Sequence, residues 1–126
     1  MSEYSEHKAV ANYLKLQYPN IIFTSDSSGI RLSIGNAKKM LALKSNCKIP
    51  DLLIFAPNEK YHGLIIEIKR TDEKIYLKDG SLSKSKHIQQ QNETLERLSA
   101  IGYYAVFGVG FDACKKIIDT YFKSNI

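Results

Sequence analysis

Asp51, Glu67 and Lys69 stand in two short apolar runs, Asp51-Leu-Leu-Ile-Phe and Leu64-Ile-Ile-Glu-Ile-Lys69. A strand presents alternate side chains to opposite faces, so Leu64, Ile66 and Ile68 face one way and Ile65, Glu67 and Lys69 the other. A carboxylate and an ammonium on an otherwise apolar strand carry a desolvation cost that a function would explain. The Asp51 and Glu67 oxygens with a backbone carbonyl of the same strand form a hard oxygen donor set suited to Mg2+ or Mn2+. Such an ion polarises a phosphodiester and lowers the pKa of a bound water. Lys69, one pleat along, is placed to hold that water and to offset phosphate charge. The competing reading is a solvated strand face, with Asp51 merely opening a strand.

The two runs are joined at Pro57-Asn58-Glu59-Lys60, a strong turn signal. A hairpin centred near residue 59 sets Asp51 opposite Glu67 or within a residue of it, with Cβ atoms about 5 Å apart. Two carboxylates that close repel, and a shared cation relieves them. Gln91 lies between Ile88 and Leu95 on the apolar stripe of a helix, one turn after His87. A glutamine facing the core must find partners, so it either points into a polar pocket or sits at the edge of the stripe. Glu6 opens the inward face of the first helix, four residues before Val10. It either reaches the same site or complements the helix dipole.

The elements that must position these residues follow from periodicity and punctuation. Residues 3–18 read as a helix with Val10, Tyr13, Leu14 and Gln17 inward, capped by Ser2 or Ser5 and ended by Pro19. Residues 21–25 and 30–34 read as strands around a Ser-Ser-Gly turn. A basic helix over about 36–45 turns Ala37, Met40 and Leu41 inward and Lys38, Lys39 and Lys44 outward. After the two strands of the motif, residues 71–85 are polar and turn-rich, and read as a loop or a small hairpin at Asp79-Gly80. Residues 86–100 form the best helix, stopped by Gly102. Residues 103–110 are a buried strand, and Asp112 caps a last helix with Cys114, Ile117, Ile118 and Tyr121 inward. The result is a mixed α/β chain forming one domain over 1–126.

A chain of 126 residues suffices for one core. It holds no apolar stretch of the roughly 20 residues that span a bilayer, and its start lacks the layout of a signal peptide. Cys47 and Cys114 have no metal-type spacing and read as reduced thiols in a cytoplasmic protein. The net charge of +5 suits a polyanionic partner. Arg31, Lys38, Lys39, Lys44 and Lys48 precede Asp51, while Lys74, Lys78, Lys84 and Lys86 follow Lys69. Two basic groups flanking a carboxylate site suit a sequence-blind phosphate footprint, with Arg31, Lys38, Lys39, Lys44, Lys48, Lys84 and Lys86 as DNA-binding candidates. Catalytic triads and phosphate-cradling glycine loops are absent.

Pro50-Asp51 followed by Glu67-x-Lys69 resembles the PD-(D/E)xK nuclease superfamily. The continuation from Gln91 through Leu98 to Gly102-Tyr103 is similar to the VRR-NUC (virus-type replication-repair nuclease) family, in its stand-alone phage and prophage form. The resemblance implies a restriction-endonuclease-like domain, a central mixed sheet of four to five strands flanked by helices. It implies a Mg2+- or Mn2+-dependent DNA endonuclease acting on branched DNA such as Holliday junctions or flaps, as a homodimer, in a bacterial or phage-infected cytoplasm. Asp51, Glu67 and the Ile68 carbonyl carry over as metal ligands, Lys69 as the catalytic lysine, and Gln91 and Glu6 as further site residues. The alternative is a catalytically silent DNA-binding module. The chain departs from the family in having Lys48-Ile49 where a glycine is usual before Pro-Asp, and in a longer stretch between Lys69 and the Gln91 helix.

Overall fold

The computed structural model describes residues 2–26 and 31–123. Its centre is β3 (Leu64–Lys69), all six of whose residues are buried. A strand apolar on both faces must be covered on both, and the chain does this with helices. Leu64, Ile66 and Ile68 pack against Val10 and Leu14 of α1 (Glu3–Gln17) and Cys114, Ile118 and Tyr121 of α4 (Phe111–Phe122). On the other face, Ile65 meets Ala105 of β4 (Tyr104–Val109) and Leu95 of α3 (Lys86–Ala100).

The sheet order is β1-β2-β3-β4, with β1 at Phe23–Ser25 and β2 at Leu52–Ile54. The β1–β2 and β2–β3 pairs are antiparallel, and β4 lies parallel to β3. The parallel pair needs a crossover, which α3 and the polar segment before it supply. That segment carries the small hairpin: a Tyr76–Leu82 bridge closes around Gly80 at φ 85°. Gly102, at φ 105°, stops α3 as its sequence position predicts.

Four expectations are corrected. Residues 31–33 are irregular and Ile34 opens a helix, so the expected strand over 30–34 does not form in its described part. Residues 27–30, with the expected Ser-Ser-Gly turn, lie outside the described residues. The basic helix is α2 (Ile34–Ala42), capped by Ser33 accepting the Asn36 amide, and Leu41 is exposed rather than inward. Ser33 caps there because its hydroxyl satisfies a first-turn amide that strand pairing would have taken. Gln17 is exposed, since the last turn of α1 overhangs the core. Asp112 lies inside the first turn of α4, which begins one residue earlier because Gly110 turns the chain at φ 87°.

Candidate active site

The antiparallel register pairs Leu52 with Ile66, and one step further along sets Asp51 opposite Glu67. Both carboxylates are buried, at 6% and 3% exposure, beside Lys69 at 2%. Asp51 is held at both ends: its Oδ2 accepts the Ile68 amide at 2.8 Å, and its carbonyl accepts the Asp26 amide at 2.8 Å. Burial pushes the Glu67 carboxyl up to about 10, helped by a hydrogen bond with Asp51 and by that residue's charge. The Lys69 ammonium works in the opposite direction. Without a cation, the pair therefore keeps a proton at neutral pH.

The proline before Asp51 has a structural consequence. Lys69 and Gly63 give their carbonyls to β4, accepting from Gly110 and Tyr104, so the odd-numbered groups of β3 point that way. The Ile68 amide points the other way, to Asp51, and its carbonyl shares that direction. The next ladder partner on that side, continuing the register, is residue 50. Pro50 has no N–H to donate. The Ile68 carbonyl is thereby left to face the space beside Asp51 and Glu67.

Of the other sequence-predicted residues, Gln91, Lys44 and Lys48 line the same cleft, while Lys69 and Glu6 lie outside its lining. Lys69 Nζ lies 3.4 Å from Glu73 Oε2, an exchangeable partner one turn of chain beyond the strand. Gln91, 7% exposed, lines the cleft that contains Asp51 and Glu67, and its Oε1 has no hydrogen-bond partner. Glu6 is 2% exposed; its Oε1 accepts the Thr71 hydroxyl at 3.0 Å, and its Oε2 is left unpartnered. Thr71 reaches it because Gly110 makes room: a Cβ there would meet Thr71 Oγ1 at 2.7 Å. Lys44 and Lys48 line the cleft, Lys44 also pairing with Asp26 at 2.5 Å. Arg31, Lys38, Lys39, Lys84 and Lys86 are exposed and stand outside its lining.

The cleft, of about 230 Å3, also takes in Glu3, Asp26 and His87, which sequence reasoning passed over. Glu3 lies three residues before Glu6, close enough on a helix to have been found. Burial raises its carboxyl pKa, and the Asp51 charge adds to this. His87 had a signal too, one turn before Gln91. Asp26 had none, because β1 pairing brings it in. A larger cavity, about 640 Å3 between β2 and α3, contains none of these acids and is lined mainly by apolar side chains.

The whole-chain likeness to a solved structure bears on the fold. A solved structure described as a VRR_NUC domain protein matches with a TM-score of 0.69 and 26% identity, over 98% of this chain and 89% of that one. This is a VRR-NUC fold. No protein-family model and no curated protein matches the chain. VRR-NUC likeness implies a divalent metal, and the donors present fit one. Two buried carboxylates stand opposite each other on β2 and β3, beside a carbonyl set opposite Pro50. An unpartnered amide oxygen at Gln91 stands on the same wall. Among the described residues no three His, Cys, Asp or Glu side chains gather closely enough to hold an ion by themselves.

Proposed function

We propose that the chain is a metal-dependent DNA endonuclease that hydrolyses phosphodiester bonds in branched DNA, such as Holliday junctions or flaps, as a homodimer. The observation that carries this is the buried Asp51–Glu67 contact at the end of β3, with Lys69 one pleat beyond. The structural neighbour's VRR_NUC description supports the nuclease reading. Asp51, Glu67 and the Ile68 carbonyl would hold Mg2+ or Mn2+, with Gln91 and Glu6 as further site residues. When bound, the ion supplies a Lewis acid for the scissile phosphate and acidifies a water ligand.

The protein's own groups then divide the work. Asp51, anchored by the Ile68 amide, keeps its carboxylate in one orientation. Glu67, whose carboxyl burial and then Asp51 hold in the protonated form, would be favoured as the carboxylate by a neighbouring cation. Lys69 exchanges Glu73 for the attacking water or a phosphate oxygen and offsets the developing charge. Gln91 offers an amide that accepts from water at one end and donates to phosphate at the other. Lys44 and Lys48 neutralise the phosphates on either side, with Arg31, Lys38, Lys39, Lys84 and Lys86 as a wider salt-sensitive footprint. The protein has no helix, among its described residues, long and apolar enough to cross a membrane.

The test is a cleavage panel of linear, flapped and four-way DNA with Mg2+ or Mn2+, alongside Glu67→Ala. Metal-dependent nicks absent from the variant support the proposal. DNA binding without cleavage by the wild type favours a silent binding module instead.

A further inference from the structure

A second cavity, of about 250 Å3, adjoins the cleft and shares Glu3, Asp26 and Asp51 with it. Its remaining wall includes Tyr4, His7 and Ser25. Tyr4 and His7 are three residues apart in the first turns of α1, so their rings lie on one helix face. Tyr4 is 62% exposed, an aromatic ring left in water beside an acidic site. His7 Nε2 lies 2.8 Å from Ser25 Oγ, which ties the ring to β1 and leaves a hydrogen-bonding group at the cavity wall. Lys8 on the same wall can meet a backbone phosphate, while the carboxylates of Glu3, Asp26 and Asp51 disfavour an anion deeper in, so the rings are left for an uncharged group. They match the flat face and polar edge of a nucleobase.

We propose that this cavity is a nucleobase subsite, in which Tyr4 and His7 receive an unstacked base from the nucleotide beside the phosphate held at Asp51 and Glu67. The inference rests on the nuclease reading and adds a source of selectivity to it. The shared wall at Asp51 sets the base and its phosphate next to each other on one strand. A base inside a regular duplex is already stacked on both faces and cannot lie on Tyr4. Bases at junctions, flaps and mismatches cost less to release. The subsite thus favours cutting where a strand leaves the duplex, without reading its sequence.

The experiment uses the whole chain and branched DNA in which 2-aminopurine is walked through every position, with Ca2+ present. Tyr4 is exposed, so Tyr4→Ala and Tyr4→Phe should fold as the wild type does. Emission should change at one position next to the cut with wild type and Tyr4→Phe, and stay unchanged with Tyr4→Ala. An abasic residue at that position should slow Mg2+-dependent cleavage about tenfold in the wild type. It should slow Tyr4→Ala, itself about tenfold impaired, no further. No responding position, a response that survives Tyr4→Ala, or additive losses would overturn the subsite. A wild type that cuts no DNA overturns the nuclease reading alone, since the fluorescence needs no cleavage.

Discussion

Asp51 Oδ2 accepts the amide of Ile68 at 2.8 Å, tying the carboxylate to the backbone of the strand whose next carbonyl has only a proline opposite it. The Pro-Asp pair thus does two jobs. The aspartate takes the amide that an unpaired strand end would expose, and the proline declines the carbonyl. Replacing Pro50 by Ala returns an N–H opposite Ile68, and a new hydrogen bond of about 1 kcal/mol would compete with any ion there. Titration calorimetry with Mn2+ should show an affinity lower by about fivefold to tenfold. Unchanged affinity would remove the Ile68 carbonyl from the donor set.

Glu67→Gln and Lys69→Ala should each lower cleavage by about two to four orders of magnitude, the scale of losing a group that stabilises or transfers charge in the transition state. DNA affinity in Ca2+ should stay within about threefold, because the phosphate footprint is elsewhere. Gel-shift titrations beside single-turnover cleavage separate the two effects.

The Glu67 proton predicts how stability depends on pH. Burial, with Asp51 beside it, pushes its carboxyl up to about 10 in the folded chain, from the ordinary 4.5 of an unfolded glutamate. Above 4.5 the unfolded chain releases a proton that the folded chain keeps, so apo stability falls as pH rises toward 10. Melting curves from pH 5 to 9 should show the apo midpoint falling and the Mg2+-induced or Mn2+-induced rise growing. Glu67→Gln should flatten both trends and raise apo stability at neutral pH by about 1 kcal/mol. A pH-independent midpoint in the wild type would refute the shared proton.

Thr71→Val removes the one side-chain donor that Glu6 has among the described residues. The expected loss is about 1–3 kcal/mol. Gly110→Ala should cost a similar amount, through strain at φ 87° and a clash with the same Thr71 hydroxyl. The double variant should lose less than the sum, because both act on one contact. Urea melts measure all three.

Lys48→Ala should lower the slope of log affinity against log salt by about one unit. Lys44→Ala is a different case, since Lys44 also neutralises Asp26 in the cleft wall. It should weaken both DNA binding and apo stability. Equal salt slopes for wild type and Lys48→Ala would place the phosphates elsewhere.

Much of this was legible in the chain. The alternation in Leu64–Lys69 set out a strand with Leu64, Ile66 and Ile68 on one face and Glu67 and Lys69 on the other, and the turn at Pro57–Lys60 brought residue 51 opposite Glu67 or within a residue of it. Gln91 on its apolar stripe is buried in the cleft wall, as an inward glutamine needing partners should be. The failures came where short-range signals competed. Residues 31–34 alternate like a strand, yet the Ser33 cap and the helix it starts prevailed.

The sequence by itself determined the elements, the strand faces and the Asp51–Glu67–Lys69 set, because periodicity and turn chemistry act over a few residues. Only the tertiary structure decided what closes around that set. Glu3 comes from a helix packed on the far side of the sheet, His87 from the crossover helix, and Asp26 from a strand paired through β2. Their approach depends on which faces bury against which, a property of the assembled core that no local pattern carries. The same holds for the Ile68 carbonyl. Pro50 lacks an N–H in any fold, but only the β2–β3 register makes that absence matter at the site.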